Sequence, residues 1–328
     1  MKVFLPRPPG DEFLRTLRER LDPRVELSVG PEIPEQAEFD WLVEGVPTEE
    51  QLTASPRLLG VVVPWAGVSP RTLELVRRYP KLRLHNLHHN APATAELALA
   101  LLFAVARRVV PIDRALRAGD WVGRNDTDRN FLLAGRTAVI LGFGAIGRRL
   151  GEVCAALGMS VTAVSRSASL EMGRPNDANG IELWSSSSLH ELLPQAQVLF
   201  VTVPLTDETR GLIGPTEIDL LPRDAILVNV ARGPIVDEDA LFSALESGRI
   251  AGAGLDVWYR YPREEDDRSC HSPSNRPFHL LDNVVMSPHR GGDTTETETL
   301  RATALAELLA FAARGDDLPN QVDTSLGY

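Results

Sequence analysis

Three glycines with a characteristic spacing lie between a predicted strand and a predicted helix. The apolar run Thr137–Leu141 precedes them, and a helical pattern over Ile146–Leu157 follows. Glycine permits a tight turn, close approach of the backbone to a pyrophosphate, and close packing of helix on strand, and the helix N-terminus offers N–H groups to phosphates. We therefore predict a dinucleotide site, with a ligand-free turn as the alternative. The predicted pyrophosphate contacts are Gly142, Gly144, Ala145, Ile146 and Gly147.

The residues after the next candidate strand bear on which dinucleotide is bound. NAD-binding proteins usually place an acidic side chain there for the ribose 2′-hydroxyl, whereas this sequence has Ser165, Arg166 and Ser167. No carboxylate is present at these positions to repel a 2′-phosphate, and Arg166 could bind one. We therefore predict NADP(H), with NAD(H) as the alternative in which Arg166 is only a solvated loop residue.

Four further segments, in chain order, resemble signatures of the D-isomer-specific 2-hydroxyacid dehydrogenases. That family includes glyoxylate/hydroxypyruvate reductases, phosphoglycerate dehydrogenase and formate dehydrogenase. The segments are Val203–Ile213, Asn229–Asp237, Gly252–Val257 and Ser287–His289. The resemblance runs from about residue 58 to residue 292 and is far more specific than the glycine spacing alone.

The resemblance implies hydride transfer between NAD(P)H and the C2 carbon of a small 2-oxo or 2-hydroxy acid. Arg232 would bind the substrate carboxylate, because a guanidinium offers paired donors. His289 would be the acid in reduction and the base in oxidation, and Asp256 would accept from the nicotinamide carboxamide. Further implied coenzyme contacts are Val203, Pro204, Thr209, Val230, Ala231, His289 and Gly291, and implied substrate contacts are Trp65, Ala66, Gly67, His88 and Asn90.

The sequence departs from the family at Tyr261, where relatives have a Glu, or a Gln in formate dehydrogenases, beside the catalytic His. A Tyr brings no negative charge near neutral pH, so we expect His289 to titrate lower than in relatives and reduction to decline from a lower pH. Glu264 or Glu265 could instead supply the carboxylate. Two alternatives follow: a formate- or phosphite-type dehydrogenase, and a dinucleotide-sensing interaction protein without enzymatic activity.

The predicted substrate loops also differ from the family pattern. Ser69 and Pro70 stand where relatives commonly have an Asp, and Trp65 with His88 and His89 makes a bulky rim. The substrate therefore need not be glyoxylate or hydroxypyruvate. His85, His88 and His89 resemble a metal cluster, but no acidic or Cys partner lies beside them, so we predict no metal. The segment Arg263–Arg276 is polar, longer than usual, and could form part of a lid.

The elements that must position these residues alternate between strand and helix. The candidate strands are Lys2–Leu5, Val25–Val29, Trp41–Val43, Leu58–Val63 and Leu82–His85, then Thr137–Leu141, Ser160–Val164, Ile181–Trp184, Val198–Val203, Ala225–Val230, Gly254–Val257 and Val284–Met286. The candidate helices are Asp11–Leu21, Pro70–Arg78, Ala93–Arg108, Ile146–Leu157, Leu189–Leu193, Glu238–Glu246 and Thr295–Ala313.

This order predicts an α/β fold of two Rossmann-like domains with parallel sheets. The dinucleotide-binding domain, residues 92–289, would be inserted in a flavodoxin-like substrate domain formed by residues 1–91 and 290–328. The closing helix could then return to the first domain. The chain length of 328 residues, with 43% hydrophobic and 24% charged residues, fits two globular domains.

Charge and cysteine content limit the partners and the compartment. The formal net charge of -11 argues against nucleic acid. Two cysteines provide neither a disulfide framework nor a zinc site and fit a reducing cytoplasm. The apolar run Ala95–Ala106 is too short to span a membrane, and Met1–Pro6 lacks a signal-peptide pattern. The family resemblance implies a homodimer, for which Ile112–Val122, with Trp121, could supply an arm.

Overall fold

The computed structural model describes residues 1–125, 130–166, 180–262 and 266–328. Ser167, Glu264 and Glu265, which carry predictions above, lie outside the described residues. The chain divides into two compact units. Unit 1 consists of Met1–Ala91 and Gly292–Tyr328, and unit 2 consists of Pro92–Gly291.

Unit 1 contains a five-stranded parallel sheet. Its strands are β1 (Lys2–Leu5), β2 (Glu26–Val29), β3 (Trp41–Val43), β4 (Gly60–Val63) and β5 (Arg83–Asn86). Their order is β2-β1-β3-β4-β5, which is the flavodoxin-like order. All residues of β3 and β4 are buried, as expected of parallel strands that are covered on both faces.

Four helices belong to unit 1. They are α1 (Asp11–Arg20), α2 (Glu49–Ala54), α3 (Pro70–Arg77) and α10 (Thr297–Arg314). Helix α10 packs against α1, where Leu305 and Leu309 join Phe13 and Leu17 in one buried cluster. The core of unit 1 is therefore built from two distant stretches of the chain.

Unit 2 contains a seven-stranded sheet in which all pairs are parallel. Its strands are β6 (Thr137–Leu141), β7 (Ser160–Val164), β8 (Glu182–Trp184), β9 (Val198–Val201), β10 (Ile226–Asn229), β11 (Gly252–Leu255) and β12 (Val284–Met286). Its helices are α4 (Ala91–Ala106), α5 (Val109–Arg117), α6 (Ala145–Ala156), α7 (Leu189–Leu192), α8 (Pro215–Leu220) and α9 (Glu238–Glu246).

The strand order of unit 2 determines where a ligand can bind. The order is β12-β11-β10-β9-β6-β7-β8, so the chain reverses its direction of progress between β6 and β9. In open parallel sheets, ligands bind outside the carboxyl ends of the strands at such a reversal. The glycine turn follows β6, and the other signature segments include or follow the carboxyl ends of β9, β10, β11 and β12.

The α/β fold with two parallel sheets is confirmed, and each predicted strand and helix is present with ends shifted by at most two residues. Helices α2, α5 and α8 are additions that the sequence analysis did not predict. Helix α2 begins with a Thr48–Gln51 capping box that is visible in the sequence. Arg108, between α4 and α5, has a left-handed φ of 50°. The chain therefore changes direction there, and α5 is a separate helix. Among the described residues, no helix has both the length and the apolar character needed to cross a bilayer.

Candidate active site

The glycine turn after β6 has the shape of a phosphate cradle. Gly142 has a φ of 104°, and a Cβ there would lie 2.8 Å from Val203 N. A Cβ at Gly147 would overlap the Gly142 carbonyl oxygen, whereas a Cβ at Gly144 would meet nothing within 4 Å. Helix α6 then begins at Ala145 without a side-chain cap on its first N–H groups. The turn thus requires glycine at 142 and 147 for its own packing, and its residues fit a pyrophosphate that approaches over Gly144.

Thr202, directly after β9, fastens this turn to the sheet. Its Oγ1 donates to the carbonyl oxygens of Gly142 (2.7 Å) and Leu141 (3.2 Å), and its backbone N donates to Leu141 O (2.9 Å). Thr202 was not among the residues predicted from the sequence. A Thr at the end of an apolar strand is too common to identify a role.

The segment after Thr202 forms a closed turn. The Thr209 Oγ1 donates to Pro204 O (2.6 Å) and accepts from Thr206 N (2.8 Å). Thr209 therefore shapes the loop through its side chain, while Val203 and Pro204 stand at the carboxyl end of β9. On the other side of β6, Ser165 and Arg166 follow β7, and Ser165 N donates to Trp184 O (2.8 Å).

Arg232 lies in a turn that Asn229 holds in shape. The Asn229 side chain accepts from Ala231 N (3.0 Å) and donates to Arg232 O (3.1 Å), and it is 1% exposed. The Arg232 Nη1 donates to Ala231 O (2.6 Å). Gly233 follows so closely against Trp258 that a Cβ at 233 would overlap the Trp258 carbonyl group. Asn229 is a second residue whose role the sequence analysis missed.

The turn that carries His289 is bound to Asp256. Asp256 Oδ1 accepts from Ser287 Oγ (2.6 Å) and Arg290 N (2.9 Å), and Oδ2 accepts from Gly291 N (2.9 Å). His289 itself has a left-handed φ of 56°, which is uncommon for a residue with a side chain. Asp256 therefore fixes the backbone on both sides of His289.

Tyr261 lies among the other predicted catalytic residues. Its ring centroid is 5.4 Å from that of His289, and its hydroxyl oxygen accepts from Trp258 N (3.1 Å). Burial raises the pKa of the Tyr261 hydroxyl; the charges of Arg232 and Asp256 act on that pKa in opposite directions. The phenol is therefore neutral near pH 7. The ring contact with His289 and the influence of the two charges show that Arg232, Asp256, Tyr261 and His289 form one neighbourhood in unit 2.

The predicted substrate residues of unit 1 lie in loops after β4 and β5. Asn86 Nδ2 donates to Ala66 O (2.6 Å), and Asn86 Oδ1 accepts from His88 Nε2 (3.0 Å). The Trp65 ring lies where a Cβ at Gly45 would be. A Cβ at Gly292 would lie 3.1 Å from Asn90 Cβ. Asn86, which the sequence analysis did not single out, thus joins the loop at Ala66 and Gly67 to His88.

The three neighbouring histidines make separate contacts. His85 Nδ1 donates to Pro319 O (2.9 Å), and Arg301 Nε donates to His89 Nε2 (3.4 Å). Burial, with smaller contributions from Arg301 and His88, lowers the pKa of His89 to about 4. Among the described residues, no group of three His, Cys, Asp or Glu side chains is arranged to hold a metal ion.

Comparison with known proteins places this arrangement in a family. Residues 99–291 match the family model described as D-isomer specific 2-hydroxyacid dehydrogenase, NAD binding domain. The chain is 39% identical to a glyoxylate reductase of Aeropyrum pernix over 236 residues, which make up 70% of this chain and 66% of that relative. The aligned part is thus just under two thirds of the relative's length.

Two solved structures extend the similarity over nearly the whole chain. The TT0316 protein from Thermus thermophilus is 31% identical, with a TM-score of 0.70 over 98% of this chain and 100% of that chain. A D-isomer specific 2-hydroxyacid dehydrogenase from Xanthobacter autotrophicus Py2, solved in complex with NADPH and MES, has a TM-score of 0.77 at 24% identity, over 100% and 99%. The latter supports the fold alone. The resemblance seen in the sequence is confirmed, and the chain belongs to the D-isomer specific 2-hydroxyacid dehydrogenase family.

Proposed function

We propose that this protein reduces a small 2-oxo acid to the 2-hydroxy acid, or catalyses the reverse, with NAD(P)H as the hydride donor. The observation that carries the proposal is the neighbourhood of Arg232, Asp256, Tyr261 and His289 at the carboxyl end of the unit 2 sheet. Membership of a family with a glyoxylate reductase relative supports it.

The residues of the glycine turn fit a dinucleotide, whose reduced nicotinamide supplies the hydride when it is bound. Ser165, Arg166 and Ser167 would hold the ribose 2′-phosphate, so we propose NADP(H), with NAD(H) as the weaker alternative. The other proposed contacts are Gly142, Gly144, Ala145, Ile146, Gly147, Val203, Pro204, Thr209, Val230, Ala231, Asp256, His289 and Gly291.

Arg232 and His289 would act on the substrate itself. The Arg232 guanidinium binds the carboxylate and polarises the C2 oxygen, and His289 donates a proton to that oxygen in reduction and removes it in oxidation. The backbone amides of Ala66 and Gly67, with Asn90, help to hold the carboxylate. Trp65 and His88 form the rim that decides which substituent fits.

The test is a panel of 2-oxo acids with NADPH and with NADH, followed by absorbance at 340 nm. We expect turnover with a higher kcat/KM for NADPH. Arg232→Ala and His289→Asn should each lower kcat/KM by about 100-fold or more, while Arg210→Ala, an exposed arginine of the same unit, serves as the matched control. Absence of turnover with every acid and both coenzymes would overturn the proposal.

Tyr261 in place of the family's Glu favours one second candidate, a dehydrogenase of formate or phosphite type. Formation of NAD(P)H from NAD(P)+ and formate or phosphite, without turnover of any 2-oxo acid, would support it. The same assay addresses the dinucleotide-sensing alternative. Tight dinucleotide binding without turnover of any of these substrates would favour a sensor.

We further propose a homodimer formed through the dinucleotide-binding domain and located in the cytoplasm. Apolar side chains on α5 and just after it are exposed, including Trp121 at 65% and Val122 at 87%, and such a surface is typical of an interface. Light scattering should give twice the chain mass of 35.9 kDa. Trp121→Asp should reduce that mass to one chain. Cys154 and Cys270 are free, which fits a reducing compartment.

A further inference from the structure

The backbone at His289 adopts a conformation that its own sequence does not favour. A left-handed φ at a residue with a side chain persists only where the surroundings impose it. Four hydrogen bonds impose it here. Ser287 N donates to Leu255 O (2.8 Å), Ser287 Oγ donates to Asp256, and the amides of Arg290 and Gly291 donate to the same carboxylate.

A fifth hydrogen bond comes from a residue with no role so far. The Trp258 indole Nε1 donates to Ser287 O at 2.8 Å, and Trp258 is 3% exposed. The indole has a single N–H donor, so the ring can make this bond in only one orientation. Phe278 packs against that ring with a centroid separation of 6.1 Å and helps to hold the orientation.

The backbone of Trp258 makes two more contacts with the proposed site. Trp258 N donates to the Tyr261 hydroxyl (3.1 Å), and the Trp258 carbonyl lies against Gly233, next to Arg232. One residue therefore contacts the turn of Arg232, the turn of His289 and the side chain of Tyr261.

We infer that Trp258 is a positioning residue that holds the Arg232 turn and the His289 turn in register for proton transfer and carboxylate binding. The inference rests on the proposed function. Proton transfer requires the imidazole within hydrogen-bond reach of the C2 oxygen while that oxygen also faces the guanidinium. Loss of the indole N–H leaves Ser287 O without its buried donor, and the turn is then free to change its conformation.

The first test compares two Trp→Phe variants that each keep an aromatic ring. Trp258→Phe should lower kcat for 2-oxo acid reduction about 10-fold. Dinucleotide Kd and substrate KM should change by less than about twofold, because the backbone contact of residue 258 with Gly233, beside Arg232, remains. Trp41→Phe, a buried indole of unit 1 that is 1% exposed, is the matched control for lost packing and should keep kcat. Rescue by a ring with an N–H, in Trp258→His, would add support.

A second test needs no turnover. Hydrogen exchange should show the amides of Arg290 and Gly291 protected in the wild type and exchanging about 10-fold faster in Trp258→Phe and in Ser287→Ala, but not in Trp41→Phe. Unchanged exchange in both variants, or wild-type kcat in Trp258→Phe, overturns the inference. Faster exchange in a protein that turns over no 2-oxo acid would leave the positioning contact standing and remove the proposed function.

Discussion

The two groups of predicted site residues are held in different ways. In unit 2 the turns are fixed by close backbone packing at Gly142, Gly147 and Gly233, and by an aspartate that accepts three hydrogen bonds. In unit 1 the loops after β4 and β5 depend on side chains such as Asn86. Within the described residues, His85 Nε2 and His89 Nδ1 are buried there without a hydrogen-bond partner.

This difference indicates that the turns of unit 2 are rigid, whereas the loops after β4 and β5 of unit 1 can adjust. Backbone packing at Gly142, Gly147 and Gly233 leaves no room for an added atom, so these unit 2 turns cannot change without disturbing their packing. Side-chain contacts can be exchanged one at a time, so under the proposed function the unit 1 loops are the part that would change which acid is accepted.

The largest effect is expected at Gly147. In Gly147→Ala the added methyl group overlaps the Gly142 carbonyl oxygen, so we expect the free energy of unfolding to fall by about 3 kcal/mol and dinucleotide binding to be lost. Gly144→Ala is the matched control, because its methyl group meets no protein atom within 4 Å. It should keep the stability and raise the dinucleotide Kd about 10-fold. Denaturation and fluorescence titration measure both, and equal stability loss in the two variants would contradict the packing argument.

The dependence of stability on pH tests the loop after β5 of unit 1, which contains the buried His89. Its pKa is about 4 in the folded protein and about 6.5 when unfolded, so the unfolded chain takes up a proton first as the pH falls. The free energy of unfolding should therefore decrease from about pH 7 to about pH 4, by at most about 3 kcal/mol from this group. His89→Asn should flatten that slope in urea titrations.

The exposed His279 of unit 2 provides the control for this slope. His279→Asn should keep the wild-type dependence on pH. If His89→Asn also keeps it, then the buried imidazole is not responsible.

Tyr261 tests whether a carboxylate is missing beside His289. Tyr261→Glu should stabilise the imidazolium, so the pH at which the reduction rate has fallen by half should rise by about one unit. Tyr261→Phe keeps the ring and should leave that pH unchanged even if the rate falls, because the phenol that it removes is neutral. A profile for Tyr261→Glu that matches the wild type would count against the proposed role.

The smallest effect is expected for the two thiols of unit 2, which differ in how readily a reagent can reach them. Cys154 is fully buried in α6, where burial raises the pKa of its thiol to about 12, whereas Cys270 is exposed. A disulfide reagent should label one thiol per native chain and two after denaturation. Two labelled thiols in the native protein would mean that α6 opens readily.

Much of the fold and part of the site could be predicted because their signals are local. Apolar runs such as Val198–Val201 identify buried strands, and the spacing of Gly142, Gly144 and Gly147 identifies the turn. Short helices such as α8 carry too few apolar residues for a periodic pattern. The site roles assigned to individual residues remain predictions.

Other features depend on contacts between residues that are distant in the sequence. Thr202, Asn229 and Trp258 act through hydrogen bonds with backbone groups. Every residue has the same backbone groups, so the sequence does not indicate which of them takes part in such a bond. The bond from Trp258 to Ser287 O spans 29 residues and exists only because β11 and β12 are neighbours. Such contacts could not be read from the residue types alone.

The two-part construction of unit 1 has a consequence for synthesis on the ribosome. Phe13 and Leu17 emerge before unit 2, but their partners Leu305 and Leu309 in α10 emerge only after all of unit 2 has been translated. Unit 2 is continuous in the chain, so it can complete its core first. During that time the apolar face of α1 has no partner to cover it. Chaperones that shield hydrophobic segments would therefore be needed most for the part of unit 1 that precedes unit 2, Met1–Ala91.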